Sequence, residues 1–190
     1  MNKMVSERNR KLAEKVIRGL ESRNMEGYYA ETKEEALKIA LALIPAGSGV
    51  GWGGSVSIAD IGLKDAVCSG DYTVYNRDAC STPEEKRSVE LQCLGCDYFL
   101  SSTNAITEDG ILVNIDGKGN RVAAITWGPE HVLMIVGMNK VVRIWMMHGR
   151  ERVTWRHQST HSDLIFRHRV RRQVPAQTAN HRIQFAASFW

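Results

Sequence analysis

Two stretches of this 190-residue chain gather the groups that bind or transform a small molecule. The first is Gly47-Ser48-Gly49-Val50-Gly51-Trp52-Gly53-Gly54-Ser55-Val56-Ser57. Glycine tolerates φ > 0 and lets a ligand approach the backbone closely. A strand that runs into such a turn and then into a helix start presents N–H groups and a positive dipole end to a phosphate or carboxylate. Gly53, Gly54 and Ser55 are the expected anion donors, and Ser57 adds a hydroxyl. The pattern is neither a Walker A loop nor a G-x-G-x-x-G fingerprint, because no Gly-Lys-Ser/Thr occurs and no acid ends the next strand. A tight strand–helix turn that binds nothing fits the same residues.

The second stretch runs from Thr103-Asn104-Ala105-Ile106-Thr107-Glu108-Asp109-Gly110 to Asn114-Ile115-Asp116-Gly117-Lys118-Gly119-Asn120-Arg121. It sets amides, carboxylates, a lysine and an arginine around a hairpin, a set that orients a polyol, a carboxylate or an acyl group. Glu108 or Asp116, once partly desolvated, has the chemistry of a general base. Asn104 and Asn120 would orient the ligand, with Asp109 and Gly117 beside them, and Lys118 or Arg121 would meet its negative charge. Solvated turn residues explain any one of these acids equally well. Cys93-Leu94-Gly95-Cys96 is a lone C-x-x-C that closes a helix, whereas a redox pair normally opens one. A zinc site needs a second pair. Buried structural thiols are the expectation, and no metal site.

The elements that must carry these loops are legible in outline. Leu12, Val16 and Leu20 mark a first helix, and Tyr28-Tyr29-Ala30 a short strand. Thr32-Lys33-Glu34-Glu35 is a capping box for a helix that Pro45 and Gly47 end. Gly49–Gly54 reads as a short strand running into a glycine turn, Ser57 to about Cys68 as a helix, and Tyr72–Tyr75 as a strand. Thr82-Pro83-Glu84-Glu85 starts a helix to about Leu94, and Asp97–Leu100 is a strand. Ile106–Val113 reads as a hairpin whose Asp109-Gly110 pair makes a primed turn. A short helix is expected over Asn120–Trp127, and His131–Val136 as a strand buried on both faces. This alternation predicts a doubly wound, three-layer α/β/α sheet over residues 1–142.

Composition limits the function classes. No run of eighteen apolar residues exists and the N-terminus is polar, so a cytoplasmic protein without membrane spans or a secretion signal is expected. The net charge of +4 comes from one segment. From Arg143 onward there are nine arginines, no lysine and two acids, Glu151 and Asp163, so the first 142 residues are mildly acidic. Nucleic acid is the disfavoured partner. The rival is a basic arm in which Arg167-His168-Arg169-Val170-Arg171-Arg172 meets phosphates while Trp145, Trp155 and Trp190 stack on bases.

Gly51-Trp52-Gly53-Gly54-Ser55, Ser101 through Gly110, Asn114 through Ala124, and Val136-Gly137-Met138-Asn139-Lys140-Val141-Val142 together resemble the short form of the lactate-utilisation (LUD) domain family. The resemblance covers roughly residues 5–142. It implies a fold like the sugar-phosphate isomerases and CoA transferases, in which a Gly/Ser turn and an Asp-Gly hairpin face each other across the ligand. It also implies a role near the oxidation of L-lactate to pyruvate, alongside subunits that carry iron–sulfur clusters. The resemblance transfers no catalytic residue. One expectation is therefore an enzyme or enzyme subunit that binds a small anionic metabolite. The other is a non-catalytic scaffold or binding subunit for iron–sulfur redox partners, with oligomers possible in either case. No nicotinamide or flavin fingerprint is present, so no cofactor is evident.

Residues 143–190 depart from the family, whose short members end in an acidic-basic helix, an Ala-Ala-Pro turn and a cysteine cluster. Here no cysteine follows Cys96. Suitable codons for these residues, read in another register, spell that helix, turn and cluster. The tail is thus expected to be a frameshifted and partly disordered reading of the family C-terminus. Sequencing the coding DNA tests this: the cysteine cluster should stand in another frame, and a tail whose nucleotides encode it in no frame ends the idea.

Overall fold

The computed structural model describes residues 3–142 and 163–169. Helix α1 (Lys3–Glu21) buries Ala13, Val16 and Leu20, one apolar stripe at helical spacing. Strand β1 (Glu26–Ala30) leads to α2 (Lys33–Ala42), where the Thr32 hydroxyl accepts the Glu35 amide at 3.2 Å. The Glu35 carboxylate reaches back to the Glu31 amide, 2.8 Å away, one residue earlier than a standard capping box. Strand β2 (Gly49–Trp52) is buried throughout. The single helix expected after it is two, α3 (Val56–Asp60) and α4 (Leu63–Ser69), because Gly62 at φ +74° breaks the run. Strand β3 (Thr73–Tyr75) precedes α5 (Pro83–Gln92), which has the full reciprocal capping box between Thr82 and Glu85. Then come β4 (Tyr98–Ser101), the hairpin β5 (Ala105–Thr107) and β6 (Leu112–Val113), α6 (Asn120–Thr126), β7 (His131–Gly137), β8 (Val141–Val142) and β9 (Asp163–Arg169).

The main sheet has the order β1-β9-β7-β4-β2-β3. Strands β7, β4, β2 and β3 are mutually parallel, while β9 runs antiparallel to both β7 and β1. Alternate residues enter two cores, as the strand period of two requires. Phe99, Val132, Met134, Val136 and Leu164 face α1 and α6 on one side. Val50, Trp52, Leu100, Leu133, Ile135 and Ile165 face α2, α3 and α4 on the other. The expected three layers are present, with a mixed rather than wholly parallel sheet. A second sheet, β6-β5-β8, stands beside the first.

The segment 143–190, expected as an atypical tail, lies outside the described residues except for β9. Leu164 and Ile165 there are fully buried, one in each core. Arg167, assigned to the rival basic arm, places one guanidinium nitrogen 2.8 Å from both carboxylate oxygens of Glu26. That contact holds the Glu26 carboxyl below its ordinary value. Trp145, Trp155, Trp190 and residues 170–172 of that arm are outside the described residues.

The hairpin turn differs from the expected primed form. Gly110 alone takes positive φ, +82°, and Asp109 does not. The Gly110 amide bonds the Thr107 carbonyl (2.9 Å) and the Thr107 amide bonds the Ile111 carbonyl (2.9 Å), which makes a three-residue loop with glycine at its end. This loop docks on α1 backbone to backbone. A Cβ on Gly19 would stand 2.2 Å from the Asp109 carbonyl oxygen, and one on Gly110 would stand 2.6 Å from the Gly19 carbonyl carbon. Because the obstacle is main chain and cannot rotate away, Gly19→Ala is expected to cost about 2–3 kcal/mol. Urea denaturation checks this, and a loss below about 0.5 kcal/mol would mean that the helix and hairpin do not meet so closely.

Candidate functional site

In doubly wound sheets, ligands bind beyond the carboxyl ends of the strands, where neighbouring chains depart to opposite faces. Here that point lies between β2 and β4. After Trp52 the chain passes Gly53, Gly54 and Ser55 into α3 and α4, whose Ile58, Ile61 and Leu63 join the α2-side core. After Ser101 it passes Ser102, Thr103 and Asn104 into β5, whose Ile106 joins the α1-side core. The two exits diverge toward different cores, which is where the topology of such sheets puts a ligand crevice.

The Gly turn lines one lip. The Gly53 amide donates to the Leu100 carbonyl at 3.2 Å, so it extends the sheet and is not the anion donor that the sequence suggested. Gly53 serves packing instead, since a Cβ there would sit 3.3 Å from both Arg121 Cγ and Phe99 Cζ. Gly54 is exposed, and a Cβ on it would meet nothing. The Ser55 hydroxyl caps α3 by accepting the Ile58 amide at 3.4 Å. Behind the turn, the Trp52 indole donates to Asp78 at 2.9 Å and Lys64 reaches the same carboxylate at 2.5 Å. Burial pushes the Asp78 carboxyl up, but Lys64, Trp52 and Arg77 together outweigh it and hold the group below its ordinary value.

Ser102 and Thr103 form the other lip and are almost fully buried. Arg121 ties this lip to the loops around it. Its Nε donates to Asp116 Oδ1 (2.7 Å), its Nη1 to the Ser102 carbonyl (2.8 Å), and its Nη2 to Asn104 Oδ1 (2.6 Å) and the Ile115 carbonyl (3.0 Å). The second oxygen of Asp116 accepts the Val122 amide at 2.8 Å and so caps α6, which begins after Gly119 at φ +77° without a side-chain cap of its own. The Asp116 and Arg121 side chains are only 9% and 11% exposed.

The structure therefore joins Asn104, Asp116 and Arg121 in one hydrogen-bonded unit, with Gly53 packed against the Arg121 stem, and separates them from the hairpin tip. Glu108 pairs with Lys15 of α1 at 2.6 Å. Asp109 accepts the Thr107 hydroxyl, and its carbonyl accepts Arg23 at 2.6 Å. Both acids anchor the tip on α1. Asp116, the other acid, is committed to Arg121 and to the α6 amide. Gly117 and Lys118 are exposed at the mouth of the α6 turn, and the Lys118 and Asn120 side chains make no hydrogen bond among the described residues.

Sequence reasoning missed Lys140. It stands in the turn after β7 and places its ammonium 3.1 Å from Ser57 Oγ on one lip and 2.7 Å from Ser102 Oγ on the other. Its Asn139-Lys140 motif was visible, but its place was fixed only once β7 paired with β4. Asn114 was also missed as a site residue. It is 9% exposed, and its side-chain oxygen has no hydrogen-bond partner among the described residues. Cys93 and Cys96 are buried thiols, pushed up by burial to about 11 and about 12.

The LUD domain family model matches residues 13–166, most of the chain and every strand of both sheets from β1 to β8. The protein belongs to the LUD domain family. It is accordingly a lactate-utilisation-type protein in the general sense. No curated protein and no solved structure matches it. Within this LUD domain the Gly turn and the 101–142 motifs are the two lips of the crevice and the lysine that spans it.

Removal of Arg121 strands a buried carboxylate. Arg121→Met is expected to cost about 3–5 kcal/mol, measured by chemical denaturation. The double variant Arg121→Met/Asp116→Leu should recover part of that loss. Equal stability of wild type and single variant would show that the pair does not hold the site together.

Proposed function

We propose that this LUD domain binds a small carboxylate or phosphorylated metabolite in the crevice between β2 and β4, in the service of L-lactate or related organic-acid metabolism in the cytoplasm. The observation that carries the reading is Lys140, a cation that bridges hydroxyls on both lips at the topological switch point. Gly54 supports it, since its open surface lets an anion lie against the backbone. The unpartnered Asn114 oxygen adds a buried acceptor in the segment that Arg121 grips. In this reading Asp116, Arg121 and Asn104 shape the site, and Ser57, Ser102 and Lys140 meet the ligand. Electrons, where lactate is oxidised, pass through partner subunits bearing iron–sulfur clusters.

A thermal-shift screen of the full chain against lactate, pyruvate, sugar phosphates, acyl-CoA and nucleotides tests the reading. One class should raise the melting temperature, with stabilisation of about 2.7 kcal/mol at a hundredfold excess over Kd. Gly54→Val should abolish the rise without lowering the unliganded melting temperature, because its side chain enters open space. Absence of a rise with every class would favour the scaffold subunit instead.

A further inference from the structure

Ser57, Lys140 and Ser102 have a geometry beyond what anion binding needs. A hydroxyl within hydrogen-bond reach of a base, which is itself oriented by a third group, is the arrangement of an activated nucleophile. Lysine serves as that base in serine–lysine centres on unrelated folds. Here Lys140 Nζ lies 3.1 Å from Ser57 Oγ and 2.7 Å from Ser102 Oγ. The two serines differ in access. Ser102 is 3% exposed and fixed in the lip, whereas Ser57 is only partly buried on α3. A Cβ on Gly54, three residues before it, would meet nothing within 4 Å, and the Gly54 and Ser55 amides have no acceptor among the described residues.

We propose that Ser57, Lys140 and Ser102 form a nucleophile centre that takes activated acyl compounds, esters or thioesters. This rests on the crevice being the ligand site. Ser57 Oγ attacks the acyl carbon and its proton passes to Lys140 in the fraction of molecules whose side chain is the amine rather than the resting ammonium. The bond to the alkoxide or thiolate leaving group then breaks, and Lys140 returns the proton to it. Water, deprotonated by Lys140 in turn, adds to the acyl-serine ester; the acyl–Oγ bond breaks, Lys140 returns the proton to Ser57 Oγ, and the acid is released. Ser102 positions the lysine, and the Gly54 and Ser55 amides face the charge that develops on the acyl oxygen.

The test is labelling of the full chain with a fluorophosphonate, mapped by mass spectrometry, together with turnover of p-nitrophenyl acetate. The label should fall on Ser57 and vanish in Ser57→Ala. Lys140→Arg keeps the charge but supplies no base at neutral pH, so labelling should slow by about a hundredfold or more. Ser102→Ala, a smaller change that serves if the arginine variant does not fold, should slow labelling by about tenfold while the chain stays folded at the assay temperature. Absence of label on Ser57 in the wild-type chain, or equal rates in these variants, overturns the proposal. A chain that is stabilised by a carboxylate but unlabelled loses the nucleophile and keeps the binding reading. A chain neither stabilised nor labelled loses both.

Discussion

One guanidinium decides the shape of the crevice. Arg121 meets the Ser102 carbonyl, the Asn104 amide oxygen, the Ile115 carbonyl and the Asp116 carboxylate with its three nitrogens, and its stem lies over Gly53. A planar fork with fixed donor directions can satisfy several acceptors at once in a way that a lysine ammonium cannot. Burial of this charge is tolerable because its counterion and carbonyl acceptors replace the lost water. The result is a rigid floor under loops that have little regular structure of their own.

Above that floor, topology does the positioning. Parallel strands β2 and β4 end side by side, and their chains leave toward opposite faces, so the gap between them cannot be closed by either chain. Strand β7 ends next to β4 and delivers Lys140 to this gap. The same lysine would be an ordinary surface charge on any strand further out. Because its partners sit on both lips, Lys140 also sets the width of the opening.

Local chemistry in the sequence revealed local structure well. Thr82 and Glu85 specify a capping box through contacts three residues apart, and Gly110 marks the turn because only its backbone needs positive φ. The split between α3 and α4 follows from Gly62 at positive φ, a single glycine inside a run whose other residues suit one helix. Glu108 and Asp116 were harder, since a carboxylate in a turn looks the same whether solvated, reactive or paired. What decides is a partner: Lys15 lies 93 residues from Glu108 along the chain and appears in no local pattern. Arg121 was recognised as a cation near the site, but its acceptors are mostly carbonyls, which every residue has and no sequence marks.

The place of β9 has a consequence for how the chain acquires its shape. Among the described residues β1 pairs in the sheet with β9 alone, and β9 lies more than 130 residues downstream. The parallel block of β7, β4, β2 and β3 can assemble from what has already left the ribosome, but β1 must wait for β9. Loop-closure entropy makes such a distant pairing late as well as slow. Until then the buried edge of β7 is an unpaired ladder, the type of edge that recruits other chains. A nascent or shortened chain that stops before residue 163 is thus the form most in need of a chaperone.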